Sequence, residues 1–412
     1  MIWDNAEAAA HGGGVSVARG SPLEVLRVFL RLGLTSFGGP VAHLGYFRNA
    51  FVVQRRWLDE RAYADLLVLC QFLPGPASSQ TGFAIGLMRA GYLGGLAAWA
   101  GFTLPSAIAL TLFAYGAGAL KGPAGGGLLH GLKLVAVAIV AQAVLGMAQS
   151  LAPDRPRAAI AVLALALTSF APGGLSQISA IAAGGLLGLV LCRQAARGPV
   201  DGAEAAPVSR RMGLVFLAAF FALLALSFLP GREGALAFLA AIYRSGALVF
   251  GGGHVVLPLL QGAVVAPGFV SQGAFLAGYG AAQAVPGPLF TFAAFLGAVA
   301  NAPPGGVAGA GLALIAIFAP GILILMGALP FWHGLKARPT ARVAMAGVNA
   351  AVVGLLASAL YDPVWTSAVR NPADFAVAAV GFAALVVWRA PPLVVVALTA
   401  AAGVALGVLS AG

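Results

Sequence analysis

From residue 23 almost to its end the chain alternates long apolar runs with short polar interruptions. The runs lie at about 23–40, 64–88, 91–120, 127–151, 157–172 and 173–192, then 212–230, then 236–258, 273–300, 305–331, 341–361, 373–388 and 391–411. They are continuously apolar rather than alternating, which predicts helices and not barrel strands. Many are long enough for a bilayer, which takes about 20 apolar residues per helix. The order is six, one, six. It divides the chain into a tail (1–22), a first repeat (23–192), a polar linker with a connecting helix (193–230) and a second repeat (231–412).

The halves share their wording. Arg31-Leu-Gly-Leu-Thr-Ser-Phe-Gly-Gly39 returns as Arg244-Ser-Gly-Ala-Leu-Val-Phe-Gly-Gly252, and Gln71-Phe-Leu-Pro-Gly-Pro76 returns as Gln283-Ala-Val-Pro-Gly-Pro288. The two pairs keep the same offset to within one position: 31 answers to 244, and 71 to 283. Long repeats in an apolar chain are the construction of secondary transporters, with the substrate held where the repeats meet. A single helix between two equal repeats turns the second one over. The expected fold is therefore an all-α polytopic membrane protein of two inverted-topology repeats, six hydrophobic segments each, joined by a linker helix.

Loop charge supports the inversion. Arg48, Arg55, Arg56 and Arg61, with Asp59 and Glu60, follow the first FGG, whereas 261–272 carries no charge. The loop from His333 to Arg342 holds Lys336, Arg338 and Arg342, against Lys121 alone near 121–126. By the positive-inside rule the two comparisons favour opposite repeats. Thirteen full spans would nevertheless put the Arg48–Arg61 loop and the Arg193–Arg211 linker on opposite faces. The conflict disappears if 64–88 does not cross, and Pro74-Gly75-Pro76 breaks that run in its middle. So 64–88 and 273–300 are predicted as re-entrant hairpins with PGP at the tips, while 23–47 and 236–260 turn back near FGG. Four full spans per repeat plus the linker helix remain, with a cytoplasmic amino terminus and an external carboxyl terminus.

Composition agrees. The 412 residues are 60% hydrophobic and 8% charged, against about 25% charged in soluble domains. The net charge of +11 sits in short loops, without the aromatic-interleaved basic stripe of a nucleic-acid binder, so the lipid bilayer is the expected partner and nucleic acid is not. Cys70 and Cys192 form no CxxC and support neither a disulfide framework nor a metal site. Residues 1–22 lack the apolar core of a signal peptide and read as a flexible tail. With twelve acidic residues, mostly in loops, an enzyme such as a lipid phosphatase is not expected. No GxxxxGK[ST] string offers ATP-driven pumping. No cofactor is expected.

The candidate chemistry lies at the repeated strings. A helix restarting after Pro76 or Pro288 presents unpaired N–H groups and the positive end of its dipole, an anion site without formal charge. Gln71, Ser78, Ser79 and Thr81 in the first copy, and Gln283 and Thr291 in the second, add donors around Pro74, Gly75, Pro76 and Pro286, Gly287, Pro288. Gly38 and Gly39, like Gly251 and Gly252, permit a positive-φ turn close to a ligand, or tight helix packing. Arg31 and Arg244 each precede the first FGG glycine by seven positions and can grip two oxygens of an oxyanion; a snorkelling arginine is the alternative. His43, His254 and Asp65 are candidates for moving a proton. Structural histidines are the blander reading, and Asp65 would otherwise cap the helix beginning there. Trp57, Trp99, Trp332, Trp365 and Trp388 read as interfacial anchors.

Ser36-Phe-Gly-Gly-Pro-Val-Ala-His43, Arg56-Trp-Leu-Asp-Glu60, Gln71-Phe-Leu-Pro-Gly-Pro-Ala-Ser-Ser-Gln80, Phe250-Gly-Gly-Gly-His-Val-Val-Leu-Pro258 and Gln283-Ala-Val-Pro-Gly-Pro288 resemble the chromate ion transporter family in its long, two-repeat form, over about residues 22–411. The resemblance implies chromate efflux across the bacterial inner membrane, driven by the proton gradient and giving chromate resistance. Sulfate, also a tetrahedral dianion, is the expected competitor or alternative cargo, and a channel is the alternative mechanism. A homodimer is a candidate assembly. The residues themselves specify only an oxyanion.

Overall fold

The computed structural model describes residues 20–37, 39–119, 122–170, 174–192, 208–231, 233–250, 255–332, 334 and 338–409, and all regular structure among them is helical. The first repeat gives α1 (Pro22–Thr35), α2 (Gly39–Phe47) running into a π-helical turn over Arg48–Gln54, α3 (Glu60–Phe72), α4 (Ala77–Ala119), α5 (Gly122–Leu151), α6 (Arg155–Phe170) and α7 (Gly174–Leu191). The connecting helix is α8 (Arg210–Ser227). The second repeat gives α9 (Gly234–Ala247), α10 (Val256–Val264), α11 (Gln272–Ala282), α12 (Phe292–Val299), α13 (Gly306–Ala328), α14 (Pro339–Ala359), α15 (Pro372–Val386) and α16 (Pro392–Leu409). Helix α4 is broken at Ala90–Gly91, where Gly91 takes φ +67°. Its two parts thus correspond to α12 and α13, and the repeats match element for element.

Local chemistry sets the helix starts. Ser21, Asp59, Ser209 and Ser271 each accept a bond from the N–H three positions on, at 2.7–3.4 Å, as N-caps do. Asp59 is thus the cap of α3. Asp65 lies a turn and a half inside that helix, so its expected capping role is corrected. Among the described residues, six helices are long and apolar enough to cross a bilayer: Ala77–Gly116, Gly122–Leu151, Arg210–Ser227, Gly306–Phe331, Pro339–Ala368 and Pro392–Leu409. Their outer faces carry exposed Leu93, Leu112, Val215, Ile315 and Leu398, a surface suited to lipid and not to water.

The shorter helices pair as hairpins. The Arg89 guanidinium lies 4.9 Å over the Trp57 ring, so the start of α3 and the end of the first part of α4 meet while the PGP turn lies at the far end. In the second repeat Asn301 N donates to Phe269 O at 2.8 Å and Asn301 Nδ2 to Gly268 O at 3.2 Å, which joins the ends of α11 and α12 in the same way. Trp57 and Trp332 are only 5% exposed. They pack inside the protein and are not the interfacial anchors expected of them, whereas Trp388 is exposed.

The repeats are interlocked. Helix α5 packs along α16, and its counterpart α14 packs along α7. Glycines make both crossings possible: a Cβ on Gly127 would run into Gly403 O, and one on Gly347 into Gly184 O. Small residues let membrane helices approach to backbone contact, where dispersion holds them in place of the hydrophobic effect. A cross-repeat hydrogen bond adds to this. His130 of α5 meets Asp374 of α15 at 2.8 Å, and Asp374, 1% exposed, also accepts from Arg370 N at 3.0 Å. Removing one side of such a pair leaves the buried Asp374 carboxyl short of a partner. We expect His130→Leu to cost about 3 kcal/mol of stability, read as a lower melting temperature in detergent, with much of the loss recovered in His130→Leu/Asp374→Leu. Equal melting of His130→Leu and the native chain would refute the assignment.

Candidate functional site

The two repeats also touch at the PGP turns. Helix α3 ends at Leu73 because Pro74 and Pro76 have no N–H to continue it. Between them Gly75 takes φ +119°, and its N–H donates to Val249 O at 2.7 Å. In the other repeat Gly287 takes φ +96°, and its N–H donates to Ser36 O at 2.9 Å. Ser36 and Val249 hold the same place in their repeats, each standing two positions before the first glycine of its FGG. Each PGP tip is therefore bonded to the residue two positions before the first FGG glycine of the other repeat.

Each tip also sits against the residue that follows a proline in the other repeat's long helix. A Cβ on Gly75 would lie 2.9 Å from Gly321 Cα, beside Pro320 of α13; one on Gly287 would lie 2.9 Å from Ser106 Oγ and 3.0 Å from Phe102 O, beside Pro105 of α4. Gln80 ties the first tip down, its Nε2 donating to Pro74 O and Gly321 O at 2.9 Å each. Around the second, His43 Nε2 lies 3.2 Å from Ser36 O, and the His43 ring stands edge-on to Phe102 at 5.1 Å. A carbonyl only accepts, so Nε2 carries the hydrogen of this bond.

The expected donors divide. Ser78 and Ser79 are buried behind the first tip, and Ser79 Oγ has no partner among the described residues. Gln283 Nε2 is likewise buried and unpartnered among them. The Thr81 and Thr291 hydroxyls, in contrast, donate to Ala77 O and Pro288 O at 2.8 Å, each within its own turn. The Gly75 and Gly287 N–H groups are engaged across the interface. Gly39 begins α2 with φ +75°. Gly38, Gly251, Gly252 and His254 lie outside the described residues. Asp65 is half-buried on α3.

The two arginines differ in surroundings. Arg31 is exposed on α1. Arg244 is half-buried, donates from Nη1 to Ser227 O at 2.9 Å and lies 5.0 Å over the Phe228 ring. It lines a cavity of about 260 Å³ with Gln177, Ser245 and Gly262. A second cavity of about 260 Å³ is lined by Gln71, Arg157, Arg342 and Asn349. Sequence reasoning misses Gln80, Thr103, Ser106 and Gln177. Each is an uncharged polar residue inside an apolar run, a signal too common in membrane helices to select it. Among the described residues, no three His, Cys, Asp or Glu side chains converge as metal ligands.

The family model described as chromate transporter matches the chain twice, over residues 23–189 and 236–404. The chain is 30% identical over 383 residues to the chromate transport protein of Pseudomonas aeruginosa, covering 90% of this chain and 89% of that one. It is 25% identical over 347 residues to the chromate transport protein of Cupriavidus metallidurans, covering 82% and 81%. It is 23% identical over 344 residues to an uncharacterized transporter of Methanocaldococcus jannaschii, covering 82% and 83%. No solved structure matches.

Proposed function

Because this chain belongs to the chromate transporter family, a family of membrane transport proteins and not of enzymes, we propose that it exports chromate across the bacterial inner membrane by proton-coupled secondary transport and so confers chromate resistance. The observation that carries the mechanism is the pair of reciprocal bonds, Gly75 N–H to Val249 O and Gly287 N–H to Ser36 O. Each joins one repeat to the other at a helix break, the place where a transporter built of repeats holds its substrate. Sulfate is the alternative cargo, with the same shape and charge.

In this reading the repeats are inverted. Between the joined ends of the α3–α4 hairpin and those of the α11–α12 hairpin run the second part of α4, then α5, α6, α7 and α8, with the α9–α10 hairpin returning to the face it left. Five crossings put the two hairpin bases on opposite faces, so both hairpins are re-entrant and their tips meet at mid-membrane. Arg31, exposed, meets the anion first; Arg244, Gln71, Gln283, Ser78, Ser79 and the FGG glycines hold it while the repeats rock. His43 Nδ1, His254 and Asp65 are the groups that take the coupling proton. A cysteine placed at Val265, in a chain with Cys70 and Cys192 replaced, is expected to react with an impermeant thiol reagent from outside the cell. Reaction from the cytoplasm alone would contradict the inversion. The function itself is tested by chromate retention in sensitive cells: the expressed chain lowers it, and unchanged retention with confirmed membrane insertion would remove chromate as the cargo.

A further inference from the structure

Helix α4 carries Trp99, Thr103 and Ser106 at positions i, i+4 and i+7, one face of a helix. Aligning Pro105 of α4 with Pro320 of α13 makes Leu314, Phe318 and Gly321 their equivalents. The register of the FGG strings likewise pairs Ser36 and His43 with Val249 and Val256. The junction of the first FGG turn with the second PGP tip thus has polar side chains or an indole at five places where its pseudo-symmetric partner has none.

Three donors at this junction have no partner among the described residues: Ser36 Oγ, Thr103 Oγ1 and Trp99 Nε1. Ser36 and Thr103 are fully buried, at 0% exposure. Leaving a buried donor unpaired forfeits its hydration without return, and proteins rarely keep several together without use for them. Their neighbours bring these residues to one junction. Ser106 Oγ donates to Thr103 O at 3.1 Å and lies where a Cβ on Gly287 would meet it. Ser36 O receives the Gly287 N–H. Trp99 stands edge-on to Phe318 at 5.9 Å, and Phe318 packs on Phe290, just past the same tip, at 5.8 Å.

We infer that Ser36, Trp99 and Thr103 form a further oxyanion-binding chamber on the path that Arg244 serves, that the Gly287 tip is its lid, and that at this junction the first repeat supplies the polar contacts while the second supplies the lid and an apolar wall. This rests on the transport reading above and adds to its substrate contacts Trp99 and Thr103, which lie outside the repeated strings, and Ser36, whose counterpart in the second string is Val249. The chemistry selects a tetrahedral oxyanion, whose oxygens accept from hydroxyl and indole donors. Neutral donors fixed in a site closed to water help to hold such an ion, because they need no reorganisation to point at it. The occluded state has Gly287 bonded to Ser36; release requires that bond to break and the tip to lift from Ser106.

The test uses the purified full chain in detergent and in proteoliposomes, with Thr103→Val, Ser36→Ala and the control Thr111→Val, whose hydroxyl bonds Ala107 O of its own helix. Stabilisation against heat by chromate, sulfate and molybdate, and initial rates of chromate flux, are measured for each. Thr103→Val is expected to raise the KM for the preferred anion at least tenfold and to abolish anion-dependent stabilisation, while its anion-free melting temperature holds or rises, since an unpaired hydroxyl has been removed. A merely structural hydroxyl would move the melting temperature and leave KM alone. Native chromate flux with unchanged KM in Thr103→Val and Ser36→Ala overturns the chamber and leaves the transport reading standing. Loss of stabilisation by sulfate or molybdate in the variants, in a chain that moves no chromate, overturns the cargo and keeps the chamber. A native chain that none of the three anions stabilises, and that moves none of them, overturns both.

Discussion

Gly75→Ala and Gly287→Ala are each expected to cut chromate flux at least about thirtyfold. Two costs combine. A side chain at positive φ is disfavoured by about 1–2 kcal/mol, and both glycines lie in that region, at +119° and +96°. The added Cβ would also fall 2.9 Å from Gly321 Cα or 2.9 Å from Ser106 Oγ, and forcing extra volume into a packed site costs about 1–3 kcal/mol. The sum, about 2–5 kcal/mol, opposes the seated tip, and each 1.4 kcal/mol is about tenfold in population. Gly91→Ala separates the two costs. Gly91 has φ +67°, and a methyl group there would meet nothing within 4 Å. This variant therefore carries backbone strain without the clash and is expected to lose only a few-fold. Flux in inverted vesicles, normalised to inserted protein, is the readout. Native flux in both tip variants would show that the tips need not seat against the opposite repeat.

The second large effect is expected at Arg244. Arg244→Ala removes a half-buried cation that lines a cavity of about 260 Å³, and charge-assisted hydrogen bonds to an anion are worth about 1.5–3 kcal/mol. Flux is expected to fall about tenfold to a hundredfold, with Arg244→Lys intermediate, because an ammonium keeps the charge and loses the fork that grips two oxygens. Arg31→Ala is expected to cost less. Its side chain is exposed, so solvent screens it and its contribution is to attraction and not to holding. Raising the ionic strength should shrink the Arg31 effect and leave the Arg244 effect. Equal losses at both positions under all salt conditions would contradict the distinction.

Much of this is legible in the sequence because membrane helices advertise themselves. A bilayer forces continuous apolar runs, so the spans of α5, α13, α14 and α16 can be bounded to within a few positions. PGP can be placed as a break because proline has no N–H at any site in any fold. The pairing of the arginines with FGG is equally plain, since repetition at a constant offset needs no coordinates. Other expectations depend on direction, which composition does not carry. Thr81 and Thr291 stand in the right turns, but their hydroxyls face their own carbonyls. Trp57 and Trp332 stand near segment ends and yet point inward.

The amino-acid order by itself determined that this is a polytopic helical protein of two copies, with breaks at PGP, and it carried the family in the PGP and FGG strings. That much follows from local constraints: the apolar length a bilayer demands, the missing N–H of proline and the φ freedom of glycine. Only the tertiary structure decided which turn meets which. Tip and FGG are near neighbours in sequence within one repeat, at positions 75 and 38, yet each tip bonds the other repeat. It also decided that two arginines alike in sequence have unlike surroundings, and that Thr103, Ser36 and Trp99 share a buried junction. These contacts join segments far apart along the chain and are set by the packing of α4 against α1 and α12. No local propensity encodes them, because each depends on which faces remain once every other helix has found its partner.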